Sequence, residues 1–206
     1  MEIIRELAKF NNIKFHDKEH TYYIDDKLLT SVTTLIGKFK QPFDTDYWSN
    51  KKANDRGILK EDILKEWKYK ADFATQKGSA VHSYVESYLF NKVFPFPEEE
   101  MISVLGGVEH MLECKEAIQT ITKLFKKFYV DSFNKLIPIR AELVVGDEEL
   151  ALGGMIDQLL WNEKSGKLEI WDWKTNKEIK ENNKWQQFKD PISHLDVCEL
   201  NTYSLQ

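Results

Sequence analysis

Cysteine, proline and long apolar runs are all scarce in this chain of 206 residues. Its two cysteines, Cys114 and Cys198, form no CxxC pair, so they supply neither a four-cysteine zinc site nor an iron–sulfur cluster held by four thiolates. One disulfide is formally open to them, but free core thiols are expected. No apolar stretch reaches the ~20 residues that cross a bilayer. The opening MEIIRELAKFNN carries acids and lacks a signal-peptide core. A cytoplasmic protein without a membrane partner is therefore expected. Positive charge is also in deficit, with a formal net charge of −5. That excludes a cation-coated surface holding nucleic acid by charge alone, although a local basic path remains compatible with an acidic total. Internal repeats and low-complexity tracts are lacking as well.

What is present describes an ordered globular chain. The 42% hydrophobic and 13% aromatic content gives folding enough apolar surface to offset ordering entropy. The length suits one domain over residues 1–206. Residues 13–30 alternate apolar and polar side chains, the pattern of a β-hairpin or meander, with Asp25-Asp26-Lys27 at an exposed turn. Thr30 or Ser31 can cap a helix through VTTLIGKF, which Pro42 ends. These elements make an entry region over 1–45. A helical region follows over 46–135, with a break near Arg56-Gly57, a second start near Gly78 and a proline loop at NKVFPFPEEE. Helix-forming residues then return, most clearly from about Cys114 to Phe133, where Ile118, Ile121, Leu124, Phe125 and Phe128 make one stripe.

Pro138 marks a change of period. IRAELVVG, LALGGMIDQLLW and KLEIWDWKT read as three successive antiparallel strands bounded by Gly and Ser-Gly turns. The tail is then polar and irregular until CELNTYSLQ, which can open a final helix. The expected class is α+β, with a central, mainly antiparallel sheet over 136–206 flanked by helices.

Three ionisable residues interrupt the last two strands. A turn centred between Lys164 and Ser165 sets Asp157 opposite Asp172. The strand period of two then puts Lys174 on the same face and turns Trp171 and Trp173 to the other. Two adjacent carboxylates repel, each is costly to desolvate, and one lysine leaves the charge unbalanced. A divalent cation with oxygen ligands fills that deficit. An Asp-x-Lys by itself is more often a surface ion pair, as Asp25-Asp26-Lys27 is read here. Only Asp172-x-Lys174 has a Gly153-Gly154-x-x-Asp157 on the preceding strand, and strand glycines often mark close approach by a ligand. Upstream, KGSAVHSYVESYL spaces His82 and Glu86 four apart on one helix face, with Gly78 a turn earlier. A structural His–Glu pair is the ordinary reading of that spacing. Beside the sheet carboxylates it becomes a candidate part of one pocket.

The series Gly78-x-x-x-His82-x-x-x-Glu86, Glu142, Gly154-x-x-Asp157 and Asp172-x-Lys174-Thr175 resembles the PD-(D/E)XK nuclease superfamily in its RecB-like exonuclease branch. His20-x-Tyr22, SVTTLIGKF and Phe43-Asp44 are similar to the entry region of phage RecB-type and mitochondrial genome-maintenance exonucleases. The resemblance implies a restriction-endonuclease-like core and a magnesium- or manganese-dependent nuclease. Such an enzyme hydrolyses phosphodiesters at single-stranded or duplex DNA ends, in recombination, repair or replication. It also implies a bacterial or phage-infected cell and a helicase or recombination partner. Carried over, the likeness makes His82, Asp157 and Asp172 metal ligands, with the backbone carbonyl after Asp172 as a further ligand. Lys174 then acts on the attacking water, with Glu86 and Glu142 as additional acids and Gly154 and Thr175 in support. The imidazole favours manganese. Relatives with an iron–sulfur cluster carry four cysteines, so none is expected here. The family's C-terminal helix has a DNA-binding Gln followed four residues later by Tyr; here Tyr203-Ser204-Leu205-Gln206 is met only as far as that Gln.

For DNA, Lys123, Lys126 and Lys127, or Lys174, Lys177 and Lys180, offer phosphate contacts. Trp48, Trp67, Tyr69 and Phe73 are candidates for base stacking, although core packing is their commoner role. Two other readings remain open: a catalytically weak DNA- or partner-binding module, and a plain α+β domain with a surface charge cluster.

Overall fold

The chain is described by a computed structural model that covers residues 2–17, 19–132 and 136–206. Phe133, at the end of the expected helical stripe, lies outside the described residues. After a short helix, α1 (Glu2–Ala8), come three strands, β1 (Ile13–His16), β2 (Thr21–Ile24) and β3 (Lys27–Ser31). They pair as the expected meander, with Asp25 in the left-handed region at the turn. Helix α2 (Val32–Lys38) starts where Ser31 accepts the Thr34 N–H through its hydroxyl. That satisfies one of the donors a helix N-terminus leaves unpaired.

Two helices follow. α3 (Thr45–Arg56) is capped by Asp44 and ends at Gly57, whose φ of 65° suits a left-handed C-cap. α4 (Lys60–Leu89) then runs unbroken for 30 residues. The second start expected near Gly78 is absent. A single glycine costs a helix only about 1 kcal/mol, and the burial of Ala80, Val81 and Val85 beyond it outweighs that. α5 (Glu98–Leu105) takes up the glutamates assigned to the proline loop, and α6 (Val108–Ser132) begins earlier than its clearest periodicity. The main core lies between these helices around Val85, Met101, Met111, Cys114, Ile118 and Phe125. Cys114 and Cys198 are both free and buried, as expected.

The sheet completes the fold. β4 (Leu136–Asp147), β5 (Leu152–Asn162) and β6 (Lys167–Trp171) are antiparallel neighbours. β3 pairs parallel to β5 through Thr30 and Ser31, giving a mixed, open six-stranded sheet flanked by helices in an α+β chain. The β5–β6 register runs from Gln158 opposite Trp171 to Asn162 opposite Lys167. This is the register of a turn centred between Lys164 and Ser165, and it makes Asp157 and Asp172 the next pair. Trp171 and Trp173 pack on Phe128 and Phe125 of α6. The last helix, α7 (Glu199–Ser204), forms where the sequence placed it. No described helix is long and apolar enough to cross a membrane.

Gly153 has a structural reason different from the expected ligand approach. A Cβ there would stand 2.8 Å from the Tyr22 Cβ, so the meander needs that bare backbone in order to sit against β5.

Candidate metal centre

Three elements bring one group of ligating side chains together. α4 supplies His82, β4 supplies Glu142 and β5 supplies Asp157, and their candidate ligand atoms all lie within 4.8 Å of one another. The ladder pairs Ala141 with Gln158 and Leu143 with Ile156. Glu142 therefore stands across from Asp157. It adopts φ 47°, a left-handed conformation that costs a non-glycine residue on the order of 1 kcal/mol or more. That backbone conformation interrupts the ladder at Glu142 itself.

Hydrogen bonds fix the ligand orientations. His82 Nε2 lies 2.7 Å from the Trp173 carbonyl. A carbonyl only accepts, so Nε2 carries the proton and the Nδ1 lone pair is free to face the acids in the neutral ring. His82 Nδ1 stands 3.5 Å from Asp157 Oδ2. The same carboxylate oxygen accepts the Trp173 backbone N–H at 2.8 Å. A ring whose far nitrogen is anchored to a backbone carbonyl is the usual support for a metal-ligating histidine.

Electrostatics single out the same residues. Glu142 is exposed as a residue, but desolvation of its carboxyl by the surrounding chain, then the Asp157 charge, pushes it above its ordinary value, against a weaker opposing pull from His82. Burial likewise raises Asp157, with Asp172 adding to the rise and the Trp173 N–H, His82 and Lys174 opposing it. Folding has thus crowded two acids where neither ionises readily, the perturbation that recurs at functional sites. In donor chemistry and charge the group fits a divalent cation.

Asp172 and Lys174 form a second layer beside it. The Lys174 ammonium lies 2.9 Å from both Asp172 carboxylate oxygens and 4.6 Å from the centre of the Tyr203 ring. Asp157, Asp172, Lys174, Gly154, Tyr203 and Gln206 all line one cleft of about 570 Å³. Tyr203 also donates its hydroxyl proton to Asn176 at 3.1 Å, and Gln206 reaches the Thr33 hydroxyl at 3.3 Å. The short α7 is thereby tied to the site's rim. Thr175 packs against α4, where a Cβ on Gly78 would lie 3.8 Å from its hydroxyl, and its carbonyl accepts Lys77 Nζ at 3.2 Å.

The clustered side chains are not the same three that the resemblance implies as ligands. Glu142, expected as an additional acid, lies in this group, while the Asp172 carboxylate is paired with Lys174 beside it. The carbonyl after Asp172 belongs to Trp173 and is engaged by His82. Glu86 pairs with Lys92 at 2.7 Å and acts on Glu142 only through its charge. Glu142 was visible in the sequence as an acid on the right strand. Its promotion depends on a local φ that no residue pattern announces. Sequence reasoning did not pick out Lys77, Asn176 and Thr33.

No family model matches this chain, and neither the curated proteins nor the solved structures compared with it contain a significant match.

One consequence of the crowded acids is measurable. Because the folded-state values of Glu142 and Asp157 are raised, the native state holds more protons than the unfolded chain just above the ordinary carboxylate range. The contribution of these two groups to stability therefore falls as pH rises from that range through the raised values. Glu142→Gln is expected to raise the melting temperature of the ion-free protein at neutral pH, by about 2–4 °C per kcal/mol of strain relieved, and to flatten this part of its pH dependence. Calorimetric scans of both proteins across acid and neutral pH check this. A lower melting temperature for the variant at neutral pH would show that the two acids do not repel.

Proposed function

We propose that this chain is a divalent-metal-dependent DNA nuclease with a restriction-endonuclease-like core of the PD-(D/E)XK type, RecB-like branch. The observation that carries the reading is the convergence of His82, Glu142 and Asp157 within 4.8 Å, with the Lys174 ammonium on the cleft that Asp157 also lines. A surface charge cluster ordinarily pairs its acids with lysine or arginine; here the half-buried Asp157 and the exposed Glu142 meet an imidazole instead.

His82, through Nδ1, and the Glu142 and Asp157 carboxylates would hold the cation, and manganese suits an imidazole among oxygens better than magnesium does. When bound, the ion supplies Lewis-acid polarisation of a phosphoryl oxygen and a water of lowered pKa. The chain's own residues do the rest. Trp173 fixes both His82 and Asp157 through its backbone carbonyl and N–H. Asp172 aims the Lys174 ammonium, which orients the attacking water and offsets charge developing on the phosphoryl group. Tyr203 covers Lys174 from the α7 side.

Cleavage of labelled single-stranded and duplex DNA in manganese, with and without a chelator, tests the reading. Degradation that the chelator stops is the expected result; degradation that persists in chelator contradicts it. DNA binding without degradation by the wild type would instead favour a binding module built on the same fold.

A further inference from the structure

Beyond the acid cluster, the irregular stretch after β6 forms one wall of a second groove of about 770 Å³. The two hollows adjoin at Thr33, Tyr203 and Gln206, which line both. The charged side chains lining the groove are Lys40, Lys180 and Lys184 against Glu199 alone. That locally reverses the sign of a chain whose net charge is −5.

On this groove stands Trp185, 95% exposed. An indole left in water forgoes the roughly 1.5–3 kcal/mol that burial of a large apolar side chain brings. The surrounding backbone is nevertheless pinned. Asn183 donates to Asp196 at 3.0 Å and to the Val197 carbonyl at 2.8 Å, Val197 donates to Gln186 at 2.8 Å, and Lys189 donates to Phe39 at 2.7 Å. The fold thus fixes the segment on both sides of Trp185 while leaving the ring outside.

We propose that this groove is the track for a single strand of DNA entering or leaving the metal centre. Trp185 provides the stacking surface for one unpaired base, and Lys180 and Lys184 contact its phosphates. The inference rests on the nuclease reading above and adds to it the form of the substrate and the residues that receive it. Aromatic stacking together with flanking cations is the chemistry by which proteins hold unpaired nucleotides without reading sequence. A duplex hides its base faces within its own stack and offers none to an indole.

Binding is to be measured in chelator, so that cleavage plays no part, by anisotropy of a labelled oligothymidylate and of a duplex of equal length. The wild type is expected to prefer the single strand. Trp185→Ala is expected to weaken that binding about 5- to 100-fold, on the scale of one lost base stack, while Trp185→Phe retains most of it. The double variant Lys180→Ala/Lys184→Ala should lower the slope of log affinity against log salt by about 1.4. Hydrolysis of bis(p-nitrophenyl) phosphate in manganese, which needs no groove, should be unchanged in Trp185→Ala. If the wild type hydrolyses that ester but Trp185→Ala binds the single strand as wild type does, the groove assignment is overturned and the nuclease reading stands. If binding depends on Trp185 but the wild type hydrolyses neither ester nor DNA, the groove stands and the nuclease reading falls. Equal affinity for duplex and single strand overturns the track.

Discussion

Asp157→Asn is expected to abolish manganese-dependent DNA cleavage, a loss of at least about a hundredfold to a thousandfold, the scale seen when one preorganised electrostatic group is removed from an active site. Three structural roles meet at this carboxylate. It stands 3.5 Å from the His82 Nδ1, accepts the Trp173 N–H at 2.8 Å and faces Glu142 across the β4–β5 ladder. The amide keeps an acceptor oxygen for Trp173 and nearly the same volume, so the fold is retained and the loss reports charge. Asp157→Ala is a poorer probe, because it leaves the partly buried Trp173 N–H unpaired, at a cost of about 1–3 kcal/mol. Folding and cleavage are to be followed on the same preparation. A folded Asp157→Asn protein with wild-type cleavage would contradict the assignment.

Lys174→Ala is expected to lower kcat by a similar factor while manganese affinity stays near that of the wild type, because Lys174 is assigned to the attacking water rather than to the ion. Its partner distinguishes the two ligand sets. With Asp172 as a positioning residue, Asp172→Asn frees Lys174 and slows cleavage by about 10–100-fold, the cost typical of losing an orienting partner, with ion binding intact. If Asp172 were itself a ligand, the same substitution would weaken manganese binding along with cleavage. Calorimetric titration of manganese into the wild type, Lys174→Ala and Asp172→Asn, set beside single-turnover cleavage, separates these outcomes.

Much of this arrangement was legible because local rules and tertiary structure agree. The Lys164-Ser165 turn fixes the β5–β6 register without any knowledge of the rest of the chain, and Asp157 and Asp172 each lie one residue past its last pair, Gln158 with Trp171. Ser31 caps α2 for the same reason it would in a peptide. The spacing of His82 and Glu86 sets both on α4, where His82 joins the sheet acids and Glu86 pairs with Lys92. What the sequence could not display is long-range or conformational. The parallel pairing of β3 with β5 joins segments more than a hundred residues apart. Glu142 enters the ligand group through a left-handed φ and beyond a register shift between Pro138 and Arg140, neither of which has a signature in its neighbours. Gly78 looked like a break because propensity penalises glycine locally, whereas α4 is held by burial on both sides. Trp185 escaped notice because an irregular segment has no period from which exposure can be read. Of the aromatic candidates named in advance, Tyr69 and Phe73 pack against the core, and Trp48 and Trp67 line a separate surface hollow.

Anomalous diffraction from manganese-soaked crystals puts the ion's position directly in view. The expected result is a single strong peak roughly 2 Å from the His82 Nδ1 and from carboxylate oxygens of Glu142 and Asp157, with Lys174 still paired to Asp172 beside it. A peak held by Asp172 without Glu142, or no ordered ion among these side chains at saturating manganese, would contradict it.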